Sequence, residues 1–266
     1  MIDKVRQLVV DLLDSGRADA VLALANVHAN VQPYLYKKGD SLDSLALWPK
    51  YSMGPILKSI QAAQPDMKLA VVARGCDDRA LVELAKRGQI DLNNVQIIGL
   101  ACTADEATEC ECANPYPANI DVGNKVDGVA STDLLAELKG KSYDDRLIFW
   151  KQAFDKCIKC YGCRNACPLC ICEECILEDD SWVKAGEIPP PFPIFHLIRA
   201  YHLSDKCVEC GECQNSCPMD IPLTSLYALI RNEFNELFDY IPGAEIDRKS
   251  PLVTSLEEDP IREETA

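Results

Sequence analysis

The strongest constraint on the fold is a duplicated cysteine pattern in the second half of the chain. The pattern Cys-x-x-Cys-x-x-Cys-x-x-x-Cys-Pro runs from Cys157 to Pro168 and again from Cys207 to Pro218. At this spacing the first three thiolates bind three irons of one 4Fe-4S cubane, and the fourth, next to proline, reaches the neighbouring cluster. Each copy needs the other to complete a ligand set, so the two copies must pack together.

The spacing predicts two cross-ligated clusters. The predicted ligand sets are Cys157, Cys160, Cys163 and Cys217 for cluster 1, and Cys207, Cys210, Cys213 and Cys167 for cluster 2. Zinc also accepts four thiolates, but zinc ribbons do not normally place three thiols at this spacing before a Cys-Pro step. A second alternative is that the clusters only hold the fold together. Two clusters held close to each other favour electron passage instead.

The composition and the first residues indicate a reducing compartment. Fifteen cysteines is an odd number, so paired disulfides explain the count poorly. Met1 leads into a charged, helix-like segment rather than an apolar export signal, and the longest uncharged run, 20–36, contains polar residues and a proline. The formal charge of −15 argues against nucleic acid as a partner. We therefore expect a cytoplasmic protein without a membrane span, in which thiols stay reduced and bind metal.

The hydrophobic pattern predicts two domains of different class. Apolar runs at 20–25, 69–73 and 95–100 predict strands, and helical spacing of apolar residues separates them. Such alternation implies right-handed crossovers, so we predict an α/β N-terminal domain with a mostly parallel sheet over 1–124. A linker (125–142), an α+β bacterial-ferredoxin-like domain with flanking helices (143–242) and an acidic C-terminal tail (243–266) are predicted to follow.

Seven cysteines lie outside the duplicated pattern. Cys76 and Cys102 each follow a predicted strand directly, where open α/β sheets build their sites, and with Cys110 and Cys112 they form a candidate set for a third cluster. Alternatively, Cys76 is a reactive thiol at a helix N-terminus and Cys102 is a buried inert one. The other three, Cys170, Cys172 and Cys175, are candidate ligands of another cluster, whose remaining ligand the spacing does not identify.

These motifs resemble the β subunits of formate dehydrogenases and of hydrogenases that reduce a deazaflavin coenzyme, over roughly 48–123 and 150–231. The resemblance is carried by the segments Arg74-Gly75-Cys76-Asp77, Gly99-Leu100-Ala101-Cys102, and Cys110 with Cys112 ahead of Asp121-Val122-Gly123. It implies that the four cysteines in these segments hold a cluster. Many members of the family carry FAD, which the resemblance allows here, although no glycine-rich segment of this chain is assignable to a flavin phosphate.

Three functional hypotheses follow. The first is an electron-transfer subunit of an oxidoreductase complex, whose catalytic partner is of the formate dehydrogenase, hydrogenase or heterodisulfide reductase type. No residue is assigned a catalytic role, because the sequence contains no hydrolytic triad, phosphate loop or metal-hydrolase motif. The second is an FAD-containing catalytic β subunit that exchanges electrons between a deazaflavin or nicotinamide coenzyme and the clusters. The third is a redox sensor or assembly scaffold with labile clusters.

Overall fold

The computed structural model describes residues 1–129 and 132–252. The strands are β1 (Ala20–Val27), β2 (Asn30–Lys37), β3 (Leu45–Ala46), β4 (Leu69–Ala73) and β5 (Val95–Gly99). The helices are α1 (Ile2–Asp14), α2 (Gly54–Ala63), α3 (Gly75–Lys86), α4 (Ala104–Glu109), α5 (Asp133–Gly140), α6 (Tyr143–Phe154), α7 (Gly162–Asn165), α8 (Ile194–His202), α9 (Glu212–Asn215) and α10 (Leu223–Phe238), with one 3₁₀ turn at Ile176–Glu178.

The five strands form one sheet, in the order β2-β1-β4-β5, with β3 also paired to β1. Strands β1, β4 and β5 run parallel, while β2 and β3 run antiparallel to β1. The predicted α/β class with parallel strands is thus confirmed. The carboxyl ends of β4 and β5 lie at one edge of the sheet, and α3 and α4 begin there.

The hairpin of β1 and β2 was not expected from the sequence. His28 and Ala29 connect the strands, and both have positive φ angles, 50° and 65°. Positive φ at both central residues is the geometry of a tight hairpin turn, which usually contains Asn or Gly rather than these residues. Pro33 lies in β2 at the edge of the sheet, where a residue without an N–H is tolerated.

The two faces of the sheet pack differently. One face is covered by α1, whose Val5 and Val9 are fully buried against side chains such as Val21 and Val72. The other face is covered by α2 and α3, and its core continues through Leu57 and Leu84 into the cysteine-rich half of the chain. Six ferredoxin-pattern cysteines and Cys170 pack at the edge of this continuous core, and a seventh, Cys213, is buried within it.

The other expectations from the sequence concern the linker, the tail and membrane crossing. The predicted boundaries at 124, 142 and 242 stay predictions, and the tail from 253 onward lies outside the described residues. In the described part of the chain, none of the helices combines the length and apolar character that crossing a membrane requires.

Candidate iron-sulfur centres

The two cysteine repeats adopt the same backbone conformation. The residue two positions after the first cysteine of each repeat, Lys159 or Glu209, has a positive φ angle, 52° or 59°. The residue directly after the second cysteine, Tyr161 or Gly211, also has one, 58° or 75°. These left-handed residues turn each loop, so that the thiols of one repeat face inwards, and a short helix follows immediately (α7 or α9).

Backbone N–H groups of these loops point at sulfur. The N–H of Lys159 donates to Cys157 Sγ and the N–H of Gly162 donates to Cys160 Sγ, each with a nitrogen-to-sulfur distance of 3.4 Å. In the second repeat, backbone hydrogen bonds from residues 209 and 212 reach Cys207 and Cys210 in the same way. Hydrogen bonds to cluster sulfurs tune the reduction potential of an iron-sulfur site.

The structure brings together the four cysteines predicted for cluster 1. Cys157, Cys160, Cys163 and Cys217 line one small cavity, although Cys217 comes from the other repeat. Phe195, Ile221 and Leu223 form the apolar side of that cavity. Helices α7 and α9 contact each other, which carries Cys217 across to the first repeat.

The four cysteines predicted for cluster 2 also line one cavity, of about 440 Å³. They are Cys207, Cys210, Cys213 and Cys167, the last contributed by the first repeat. Burial raises the pKa of the Cys213 thiol to about 12 and that of Cys210 well above its ordinary value. Each cavity is therefore lined by three cysteines of one repeat and by the last cysteine of the other, while cross-ligation itself stays a prediction.

These thiol groups fit an iron-sulfur cluster chemically. Burial and neighbouring thiols both raise the pKa of Cys157, so without metal its sulfur stays protonated, whereas a coordinated metal deprotonates a thiol outright. The cavities offer cysteine sulfur, backbone N–H donors to that sulfur and apolar walls, which are the surroundings that protein-bound 4Fe-4S clusters use.

The candidate third set lies at the carboxyl edge of the sheet, as predicted. Cys76 is in the first turn of α3 after β4, Cys102 follows β5, Cys110 ends α4, and Cys112 follows it. All four line one cavity, and Cys210 of the second set lines it too. Burial, followed by the charge of Asp77, raises the pKa of Cys76 to about 12, so this thiol does not have the depressed pKa of a reactive cysteine.

Local interactions explain why these loops fold as they do. Thr103 caps α4 by accepting from the N–H of Glu106, whose side chain in turn accepts from the N–H of Thr103. Glu106 then holds the guanidinium of Arg74 through two hydrogen bonds of 2.9 Å, and Arg74 donates to Cys102 Sγ at 3.2 Å. A side chain at Gly75 would place its Cβ 2.3 Å from the carbonyl oxygen of Tyr116, so only glycine lets the following loop cross there.

A buried lysine lies between the second and third sets. The Lys50 ammonium donates to the carbonyl oxygen of Cys210 and forms an ion pair with Glu212 at 3.6 Å. Burial alone would lower the pKa of Lys50, but the charges of Cys76, Cys110 and Glu212 outweigh it and raise that pKa. The sequence analysis did not identify this residue, because nothing in its local pattern distinguishes it from a surface lysine.

The remaining cysteines, Cys170, Cys172 and Cys175, line a separate cavity of about 290 Å³. Sequence reasoning also missed Arg199, which lines both this cavity and that of the second set. Its signal in the sequence is its position four residues after Phe195, on the apolar face of α8, where a charged residue is unusual.

One family model and two relatives match this chain. A family model described as a 4Fe-4S binding domain matches residues 154–170 and 204–220. The β subunit of the F420-dependent formate dehydrogenase 1 of Methanococcus maripaludis is 29% identical, and the match covers 90% of this chain and 89% of that subunit. The β subunit of the F420-dependent formate dehydrogenase of Methanocaldococcus jannaschii is 27% identical, with 92% of each chain covered.

The first alignment extends over 353 positions, which exceeds the 266 residues of this chain. The relatives therefore contain internal segments without a counterpart here. The resemblance predicted from the cysteine segments is nevertheless confirmed over almost the whole sequence. This chain is an iron-sulfur protein with a 4Fe-4S binding domain, and it is similar to the β subunits of F420-dependent formate dehydrogenases.

Proposed function

We propose that this chain is the electron-transfer subunit of an oxidoreductase complex, with three 4Fe-4S clusters arranged in series. When bound, such clusters supply one-electron transfer at their positions. The proposal rests on the observation that neighbouring cavities have lining residues in common or combine cysteines of both repeats. Cys110 and Cys210 both line the second and the third cavity, and the first two sets exchange Cys167 and Cys217.

The protein supplies charge and hydrogen bonds along this series. Lys50 lies between the second and third sets, Arg74 contacts the third set, and Arg199 contacts residues of the first and second sets. Each of these cations is largely buried, so its charge acts on the nearby sulfurs with little screening by solvent. Positive charge at these positions favours the reduced form of a neighbouring cluster and raises its reduction potential.

The partner we propose is the catalytic subunit of a formate-oxidising or hydrogen-oxidising complex. Its support is the similarity to formate dehydrogenase β subunits, which are named as parts of such complexes. The sequence contains no hydrolytic triad or phosphate loop, and we assign the reaction itself to the partner. The chain would accept electrons one at a time and pass them on.

The test is metal analysis of the anaerobically purified full chain, with a variant of the third set. We expect at least about twelve irons per chain, since each cubane contains about four. Cys102→Ser should remove about four of them and leave the EPR signals of the first two clusters. The proposal is refuted by a folded protein that contains no iron or only zinc, and the third cluster is refuted if Cys102→Ser retains all the iron. Flavin absorbance of the same preparation tests the FAD hypothesis.

A further inference from the structure

Three cysteines remain after the three sets are complete, and they face a cavity of their own. Cys170, Cys172 and Cys175 line a space of about 290 Å³ beside the first repeat. Two buried leucines, Leu169 and Leu177, hold the two ends of this segment in the protein. The segment is therefore fixed at both ends, while its three thiols lie around one space.

A buried cation forms the wall between this cavity and that of the second set. Arg199 is only 3% exposed and lines both. Its Nη2 donates to the carbonyl oxygen of Cys163 at 2.6 Å and contacts Cys170 Sγ at 3.7 Å, and its Nη1 bonds with the hydroxyl of Tyr227. Its Nε has no partner within the described residues.

The surroundings of Arg199 favour the binding of an anion next to its guanidinium. No carboxylate pairs with it among residues 1–129 and 132–252, where its titratable neighbours include the hydroxyl of Tyr227 and the thiols of Cys163, Cys167 and Cys170. Taking a guanidinium out of water without a counter-charge costs several kcal/mol. Thiolates bound to metal on both sides of Arg199 would provide that counter-charge.

Further cations line the same cavity. Arg164 pairs with Glu178 at 2.7 Å and also interacts with the Cys175 thiol, and Lys206 lines the same cavity. The three cations Arg164, Arg199 and Lys206 outnumber the two carboxylates that line the cavity, Glu173 and Glu178, although the formal charge of the chain is −15. The electrostatics of this space therefore suit a group with net negative charge.

We propose that Cys170, Cys172 and Cys175 ligate a fourth iron-sulfur cluster, in which one iron is bound by a ligand other than cysteine. The other twelve cysteines line the three cavities already described, so none is left for that iron. The space of about 290 Å³ that the three thiols line is large enough for a group bigger than a single metal ion. The inference uses the proposed function only in that the chain carries iron-sulfur clusters.

The position gives such a cluster a role as a branch of the electron path. Cys170 comes three residues after Cys167, a predicted ligand of the second cluster, and their side chains are within hydrogen-bonding reach. Arg199, Leu169 and Leu203 line both cavities. An electron on the second cluster would therefore have this site as an immediate neighbour.

The test is the double variant Cys172→Ser/Cys175→Ser in the full chain, purified anaerobically. The matched control is Glu174→Gln, which changes an exposed residue of the same segment that does not line the cavity. Iron and acid-labile sulfide are quantified, and Mössbauer spectra are recorded on ⁵⁷Fe-labelled protein. We expect the double variant to lose three or four of about sixteen irons per chain and about a quarter of the Mössbauer intensity, and the control to lose none.

Several results would overturn the proposal. The double variant could keep the iron content of the unchanged chain, or it could lose one zinc instead of iron. Circular dichroism and the retained EPR signals of the other clusters exclude general misfolding, and the single variant Cys172→Ser provides a milder second test. An unchanged chain with about twelve irons, all kept in the double variant, refutes the fourth cluster alone. An iron-free chain refutes the proposed function as well.

Discussion

Replacement of Glu83 by glutamine is expected to loosen the contact between the sheet and the cysteine-rich half of the chain. Glu83 lies in α3, whose first turn carries Cys76, and its side chain is fully buried. It accepts from the hydroxyl of Tyr240 at 3.1 Å and from the N–H of Gly243 at 2.6 Å, both in the segment after α10. One carboxylate thus joins the two halves.

The magnitude follows from the cations that share this carboxylate. Lys86 and Arg87 both pair with Glu83, and their side chains are only 7% and 9% exposed. Removing one partner of a buried pair costs about 3–5 kcal/mol, because the remaining charge is left uncompensated. Glutamine keeps one acceptor oxygen, and Arg87 keeps its ion pair with Asp205 at 2.9 Å, so we expect the lower end, about 3 kcal/mol.

Thermal unfolding of the cluster-loaded chain, followed by circular dichroism at one fixed scan rate, measures the effect. A loss of about 3 kcal/mol corresponds to a decrease in Tm of about 6–12 °C for a chain of this size. The matched control is Glu137→Gln, since Glu137 also pairs with a lysine four residues later, but on the surface. The control should leave Tm unchanged. A Tm for Glu83→Gln equal to that of the control would refute the reasoning.

Three further predictions concern the clusters and the pH. Cys163→Ser and Cys217→Ser should each remove the same cluster, so the double variant loses about four irons rather than eight, whereas Cys163→Ser/Cys167→Ser loses about eight. Lys50→Met should lower the reduction potential of the neighbouring clusters by on the order of 50 mV, measured by EPR-monitored titration, because a buried positive charge disappears. Burial, assisted by the charge of Arg199, lowers the pKa of His196 to about 4, below its ordinary 6.5. As the pH falls, this imidazole is therefore protonated in the unfolded chain before it is protonated in the folded chain. The contribution of His196 to the free energy of unfolding is fully present above pH 6.5 and is lost as the pH falls towards 4. At pH 5 the loss relative to neutral pH is about 2 kcal/mol.

Each of these predictions has its own control. Equal iron loss in the two double cysteine variants would contradict cross-ligation. Lys37 is exposed at the end of the edge strand β2 and lines none of the cysteine-containing cavities, so Lys37→Met should leave every potential unchanged. His196 stacks on Phe154 with ring centroids 3.9 Å apart. The variant His196→Gln should therefore be less stable at pH 7 but should lose less Tm between pH 7 and pH 5 than the unchanged chain, and an equal loss would argue against the assignment.

The sequence by itself determined the parts that depend on short-range spacing. Eight cysteines in two copies of one pattern predicted two cross-ligated sets, because three thiols at such spacing can only wrap one cubane through a short loop. The placement of Cys76 and Cys102 at strand ends followed from alternation of strands and helices, since parallel strands bring their carboxyl ends to one edge. These twelve cysteines line three cavities, and their role as ligands stays a prediction.

Only the tertiary structure decided which charges lie beside these thiols. Lys50 and Cys210 are 160 positions apart, and Arg199 contacts Cys163 from a different helix. Contacts of this kind arise from the packing of α8, α10 and the sheet, which no local pattern encodes. The cavity lined by Cys170, Cys172 and Cys175 also results from tertiary packing. It is bounded by segments distant in sequence, so it exists only once those segments have packed.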